Sequence, residues 1–392
     1  MKRFKELILN PVENLPYLLV EDSHANLRGL YITDKSRNSE AQQSSINLFG
    51  GRETQINTIN NIYANWASQL GAEELSLKPY SGLHAHIITF MSIGRYGDKI
   101  LLLPTIAGGH HATKNILQRL GYDVIDMAVD RKNLCIDHKE TQRIIAKEKP
   151  KYIFVDRSEG LNYEDFSDII EKSQSFAIFD ASQYLANIIC HDMPSPFSMG
   201  FNMILSSIHK NFPGPQKALI CTNDKKSSHW KSILNGLSAY VSNTHPENIY
   251  MAGDIIQKTE ILRKYSKLMI ENSVYLEQKL RQRFVSIVPK KDHFPTHHLW
   301  IKFLNKKAAF QAYKKLESFN LLVNYRYLPY DLGYGIRMGT SAATLQGLRP
   351  EHMDKLAWFI QQILAGNESN SLKSEVSEFI ELLEPMNESL VL

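Results

Sequence analysis

The stretch Leu205-Ser-Ser-Ile-His-Lys-Asn-Phe-Pro-Gly-Pro-Gln-Lys-Ala-Leu-Ile220 decides the reading of this chain. It places a histidine–lysine pair, His209-Lys210, on the turn between two apolar runs of strand character. Pro213-Gly214-Pro215 behind the pair makes a turn of low conformational freedom, which fixes where the Lys210 amine points. Burial and neighbouring cationic character would lower the pKa of that amine and ready it for covalent chemistry. Just upstream, Ser206 and Ser207 offer hydroxyls to the same place.

A partner for the lysine lies in Ser175-Phe-Ala-Ile-Phe-Asp-Ala181, an apolar run that closes on a single carboxylate, Asp180. A lysine and an aspartate at two strand ends suit pyridoxal 5'-phosphate. That cofactor needs an amine to hold its aldehyde as a Schiff base, and an anion that keeps its ring nitrogen protonated so that the ring accepts electrons. Lys210 is the expected covalent anchor. The segment Lys78-Pro-Tyr-Ser-Gly-Leu-His-Ala-His-Ile-Ile88 reads as a turn opening a helix, and free N–H groups over Ser81, Gly82 and Leu83 form an anion site for a phosphate. Pro104-Thr-Ile-Ala-Gly-Gly-His-His111 follows another strand, with glycines that let the backbone approach a flat ligand and with His110 set to lie over the ring and transfer protons.

From about residue 60 to residue 222 the chain alternates helix-period segments with short apolar runs, the pattern of an α/β fold with a mostly parallel sheet. The strand candidates are Lys99–Leu103, Asp123–Met127, Lys151–Val155, Ser175–Phe179, Met203–Ser206 and Ala218–Cys221. Several are too apolar for a sheet with one wet face, so helices should cover both faces. Ser158, Asp180 and Lys210 fall at or just past strand ends, where open α/β sheets bind ligands. The segment from Gly253 to about Phe284 reads as a connecting helix, followed by a smaller α+β unit with strands His298–Phe303 and Gly335–Met338, the latter carrying Arg337. The expected organisation is an arm over 1–30, a large domain over 31–252, a small domain over 253–366 and an acidic tail over 367–392. Within the tail, Ser371–Leu383 is an acidic amphipathic run, read either as a solvated terminal helix or as a docking element.

A formal net charge of +4 over 392 residues implies no nucleic-acid or membrane partner. Glu6, Asn10, Pro11 and Glu13 interrupt any signal-peptide core, and no apolar run nears the roughly 20 residues of a membrane span. Cys135, Cys190 and Cys221 are isolated, as in a cytoplasmic protein with reduced thiols. No metal is expected either: His293 and His297 have helical ligand spacing, but Pro295 lies between them and no cysteine or glutamate completes a set.

Gly-Gly-His at 108–110, Asp-Ala-Ser-Gln at 180–183, His-Lys at 209–210 and Arg-Met-Gly-Thr at 337–340 together give the order and spacing of serine hydroxymethyltransferase, and the chain resembles that family from about Glu13-Asn14 through Phe49-Gly-Gly51 to about residue 364. The resemblance implies the aspartate-aminotransferase-like fold (pyridoxal-phosphate fold type I), a homodimer with interface active sites, and the cofactor on Lys210. It further implies that Asp180 pairs with the pyridine nitrogen, that His110 stacks on the ring, and that Ser81, Gly82 and His209 lie near the phosphate. Ser158 and Gln183 would face the phenolic oxygen, and Arg337 would grip the substrate carboxylate through a two-pronged bond. Departures stand beside these matches. The family's Ser-Gly-Ser-Gln-Ala-Asn is Ser81-Gly-Leu-His-Ala-His86 here, and its Asp-Met-Ala-His is Asp180-Ala-Ser-Gln183. Its Tyr-Ala-Glu-Gly-Tyr run, whose glutamate serves one-carbon transfer, is replaced by Ser39-Glu-Ala-Gln-Gln-Ser-Ser45, with Glu40 out of register. Tetrahydrofolate is on that ground a doubtful co-substrate.

The functional expectation is a pyridoxal-phosphate enzyme acting at Cα of a small α-amino acid, with aldol-type cleavage or transfer as in hydroxymethyltransferases and transaldolases. The alternatives are a specialised aminotransferase, decarboxylase or racemase, or a non-catalytic binding protein that keeps the fold.

Overall fold

The computed structural model describes residues 5–9, 53–241, 244–291 and 293–386. Most of the expected arm, and the 39–45 run with Glu40, lie outside the described residues. A sheet with seven described strands dominates. In chain order these are β1 (Glu74–Ser76), β2 (Lys99–Leu102), β3 (Asp123–Asp126), β4 (Tyr152–Val155), β5 (Phe176–Asp180), β6 (Met203–Ser207) and β7 (Ala218–Thr222). Their spatial order is β1-β7-β6-β5-β4-β2-β3. From β3 to β6 neighbouring strands are parallel, whereas β7 runs antiparallel to both β6 and β1.

Period-two alternation sends successive side chains to opposite faces of this sheet. Leu101, Ile153, Phe179 and Ile204 enter one apolar cluster, together with Ile59 and Trp66 of helix α1 (Glu53–Leu70). Ile100, Phe154, Ile178 and Leu205 enter another, under helix α2 (Gly82–Ile93) and helix α3 (Ser228–Tyr240). Both faces are therefore buried, which is why the strands read as unbroken apolar runs.

Past β7 the expected connecting helix is two helices, α4 (Pro246–Gln257) and α5 (Thr259–Gln282), separated at Lys258, whose backbone leaves the helical region at φ −81° and ψ 55°. A second core forms where Leu276 and Leu280 of α5 meet an antiparallel sheet of β8 (His298–Lys302), β9 (Asn324–Leu328) and β10 (Gly333–Gly339), ordered β8-β10-β9. Leu7–Ile8 pairs in parallel with Leu321–Leu322, tying the described part of the arm to this unit.

The acidic tail is not a free appendage. Helices α6 (Met353–Leu364) and α7 (Asn370–Glu381) share the second core, and Leu372, Val376, Phe379 and Ile380 are buried in it. The apolar stripe that a docking helix would offer to a partner is thus covered by the chain itself, and the charged residues of α7 face outward. No helix among the described residues is long and apolar enough to cross a membrane.

Candidate active site

The parallel strands end on one side of the sheet, and the loops leaving β2, β4, β5 and β6 carry Gly108–His110, Asp156–Glu159, Asp180–Gln183 and Ser207–Lys210. Backbone contacts lock two of these loops together. Gly109 bridges Arg157, and the Ser158 N–H donates to the Gly108 carbonyl at 2.8 Å. Gly108 sits at φ +91°, and a Cβ there would stand 1.9 Å from the Glu159 carbonyl oxygen, so only glycine permits this approach.

Asp180 closes β5 opposite Leu205 of β6. Its Oδ1 accepts the Ser182 N–H at 2.7 Å, while His86 Nε2 lies 2.5 Å from Oδ2. Burial acts to raise the Asp180 pKa, but the His86 contact and the Lys210 charge outweigh it and hold the carboxyl at about 2. The site therefore contains a permanently ionised carboxylate. Lys210 lies nearby, half-buried. Desolvation lowers its pKa and Arg337 adds to that effect, against the pull of Asp180. His110 falls to about 4 through burial, then through His86 and Lys210, so it is neutral at physiological pH. Its Nδ1 accepts the Ala112 N–H at 3.3 Å, which leaves the proton on Nε2.

At the start of α2, Ser81 caps the helix by accepting the His84 N–H at 3.2 Å. The first N–H groups of the helix, on Gly82 and Leu83, have no partner in its own ladder. A Cβ on Gly82 would lie 3.4 Å from Ser182 Oγ and 3.5 Å from the Ser207 nitrogen, which brings α2 against the end of β6. The Ser207 N–H donates to Ser182 Oγ at 2.8 Å, and the buried Ser207 hydroxyl has no partner among the described residues. Ser206 does not serve here, since its hydroxyl turns back to the Ser207 carbonyl at 2.8 Å. The His209 Nδ1 lies 3.1 Å from the Lys217 carbonyl, and burial, with Lys210, lowers its pKa to about 4. Gln183 is buried, and its Oε1 has no partner among the described residues.

The opposite end is built from the small sheet. Asn324 and Arg337 are direct cross-strand partners, so Asn324 Oδ1 accepts from Arg337 Nη2 at 3.0 Å. Arg326 lies two residues along β9 on the same face, and both guanidiniums converge on Glu159. Burial, more than any other factor, lowers Arg337 to about 10 and raises Glu159.

Lys210, Asp180, His110 and Arg337 thus interact within one buried site, with Ser81, Gly82, Leu83 and Ser207 at one edge. Sequence reasoning missed His86, Asp156 and Glu159. The available signal for His86 was its position: with Gly82, Ala85, Thr89 and Phe90 it occupies the buried stripe of α2, where an imidazole needs a partner. No group of metal-ligating side chains occurs among the described residues.

These residues fit pyridoxal phosphate. The ionised carboxylate, the amine of lowered pKa, the helix N-terminus and the orphaned Ser207 and Gln183 oxygens are the complement of its ring nitrogen, aldehyde, phosphate and polar substituents. The solved structure of L-threonine transaldolase from Pseudomonas fluorescens superposes with a TM-score of 0.88 at 20% identity, covering 97% of this chain and 88% of that one, which establishes fold type I. Serine hydroxymethyltransferase from Pyrobaculum calidifontis is 26% identical over 361 residues, 85% of this chain and 84% of that protein. The Methanobrevibacter smithii enzyme of the same name is 28% identical over 322 residues, 78% of this chain and 75% of its own. The family model of serine hydroxymethyltransferase matches residues 44–360, and the chain belongs to that pyridoxal-phosphate-dependent family.

Proposed function

We propose that this enzyme makes or breaks a bond at Cα of a small α-amino acid by aldol-type cleavage or transfer, as hydroxymethyltransferases and transaldolases do. The observation that carries the reading is the placement of Lys210 beside Asp180, with Arg337 at the far end of the same buried site. Bound there, pyridoxal phosphate would take into its ring the electron pair left on Cα when a bond to that carbon breaks. Lys210 would hold the cofactor covalently, and its lowered pKa lets it give way to the substrate amine. Asp180 would face the ring nitrogen and His110 the ring itself. Ser81, Gly82, Leu83, Ser207 and His209 would surround the phosphate, and Ser158 and Gln183 the phenolic oxygen. Arg337 would fix the substrate carboxylate, which decides which bond at Cα stands perpendicular to the ring. His110, neutral with its proton on Nε2, can deliver or receive a proton above the ring without carrying a charge into the site.

The family membership supports a homodimer, and the absence of bridged cysteines among Cys135, Cys190 and Cys221 agrees with a reducing, cytoplasmic setting. Two measurements test the reading. Purified protein should carry a visible cofactor band that Lys210→Ala abolishes, and an unchanged spectrum in that variant rules the anchor out. Incubation with L-threonine or L-serine should release an aldehyde and glycine at a rate indifferent to added tetrahydrofolate. Formation of a 2-oxo acid instead would place the enzyme among the aminotransferases.

A further inference from the structure

The shortest contact around Asp180 comes from the α2 imidazole of His86. His86 projects from the buried face of α2, and its Nε2 lies 2.5 Å from Asp180 Oδ2. On the far side of the imidazole, Thr113 Oγ1 is 3.5 Å from Nδ1. Phe154 closes one flank edge-on, with ring centroids 4.9 Å apart, and His110 lies beyond at 6.1 Å. Asp156, at the end of β4, is the other acid close by. It is 2% exposed, with Thr113 and the backbone of His110 beside its carboxyl. Lys210 reaches toward Asp180 from the turn after β6.

The proton positions follow from these neighbours. An ionised Asp180 requires a donor, so the proton between the two groups belongs to His86 Nε2. Nδ1 then keeps its lone pair and can accept the Thr113 hydroxyl. Asp156 does not compete as a second anion for the ring, because burial, which outweighs a nearby Thr113 contact, raises its pKa.

We propose that His86 is the positioning residue of Asp180, fixing the plane of its carboxylate and keeping it ionised toward the cofactor's ring nitrogen, with Thr113 holding the imidazole in its Nε2–H tautomer. The proposal rests on the pyridoxal-phosphate reading and deepens it. The sequence pattern that this chain resembles carries asparagine at position 86, whose amide N–H can donate to the same carboxylate. His86→Asn is accordingly the conservative variant, and His86→Leu removes the donor at similar bulk.

The test compares wild type, H86N and H86L in two readouts other than turnover: the dissociation constant of pyridoxal phosphate added to apoprotein, and the nitrogen-15 shift of ring-labelled cofactor bound to it. Hydrogen bonds to charged groups correspond to about ten- to a hundredfold in an equilibrium constant. H86L should lose at least about tenfold in cofactor affinity and move the ring-nitrogen shift toward the unprotonated value, while H86N stays within about threefold with the shift retained. A folded H86L with wild-type affinity and wild-type shift overturns the proposal. Should H86L fail to fold, histidine nitrogen-15 spectra of the wild-type apoprotein decide: protonated Nε2 with bare Nδ1 supports the assignment, and an Nδ1–H tautomer or an imidazolium defeats it. If wild type binds no cofactor at all, the proposed function falls, and the tautomer measurement still judges His86 separately.

Discussion

Arg337 is already engaged by an internal anion: its Nη1 stands 3.4 Å from Glu159 Oε1, with side chains only 6% and 2% exposed. Asn324 Oδ1 accepts a hydrogen bond from Nη2, and the buried Nε–H has no partner among the described residues. The guanidinium is therefore held from the Nη1 side, and a substrate carboxylate gripped as proposed would meet its Nε–Nη2 edge. Arg326 pairs with the same Glu159, so two guanidiniums share one carboxylate and the cluster keeps a net positive charge for the substrate.

Replacing Arg337 by lysine preserves the charge and removes the fork. A point ammonium on a shorter reach cannot grip both oxygens while also satisfying Glu159 and Asn324. Arg337→Lys should raise the KM for the amino acid about 10- to 100-fold and leave the cofactor's absorbance spectrum as in wild type. Initial-rate kinetics over a range of substrate concentrations checks this, and an unchanged KM would move the carboxylate site elsewhere.

The Glu159 loop depends on Gly108. A methyl group there meets the Glu159 carbonyl at 1.9 Å, and the backbone at φ +91° is strained for any L side chain. Gly108→Ala should cost roughly 2–3 kcal/mol and, because Glu159 and His110 flank the collision, should impair activity more than a surface glycine such as Gly97 replaced in the same way, where the space is open. Urea denaturation of both variants measures the contrast. Equal losses at 108 and 97 would remove the steric argument.

Strand ends and the lysine turn were legible in the sequence because a sheet buried on both faces writes itself as apolar runs, and the loops that follow them must carry the chemistry. The catalytic-side residues that stayed hidden have their partners far away in sequence: His86 meets Asp180 across 94 positions, and Glu159 meets Arg326 and Arg337 only through the cross-strand register of β9 and β10. The helix break at Lys258 left no proline or glycine as a marker. In the 367–392 segment the amphipathic pattern was legible, but not what its stripe at 372, 376, 379 and 380 covers, because that surface is assembled only by tertiary packing in the second core.

That stripe sets a stability prediction. Phe379 is 6% exposed, and its ring packs against Phe359 of α6 with centroids 5.5 Å apart. Phe379→Ala should destabilise the protein by about 3 kcal/mol through lost burial and the cavity left behind. Chemical denaturation reads the loss directly; a cost under about 0.5 kcal/mol, the range of surface substitutions, would mean that α7 contributes little to the core and would return it to the role of a docking element.

The His86–Asp180 pair also predicts how stability follows pH. Asp180 sits at about 2 in the folded chain, below the ~3.9 of an unfolded aspartate, so the folded state binds its proton less readily. Stability from this group is then fully present above the unfolded value and is lost as pH falls from about 4 toward 2. By linkage the contribution at neutral pH is on the order of 2 kcal/mol. Asp180→Asn cannot ionise, so its deficit relative to wild type should be largest near neutrality and should shrink as pH is lowered through 4. Unfolding free energies of the two proteins, taken at descending pH as far as both stay folded, give the slope. A deficit that stays constant with pH would show that His86 does not hold Asp180 as an anion, and with it would go the electrostatic basis for placing a protonated ring nitrogen above that carboxylate.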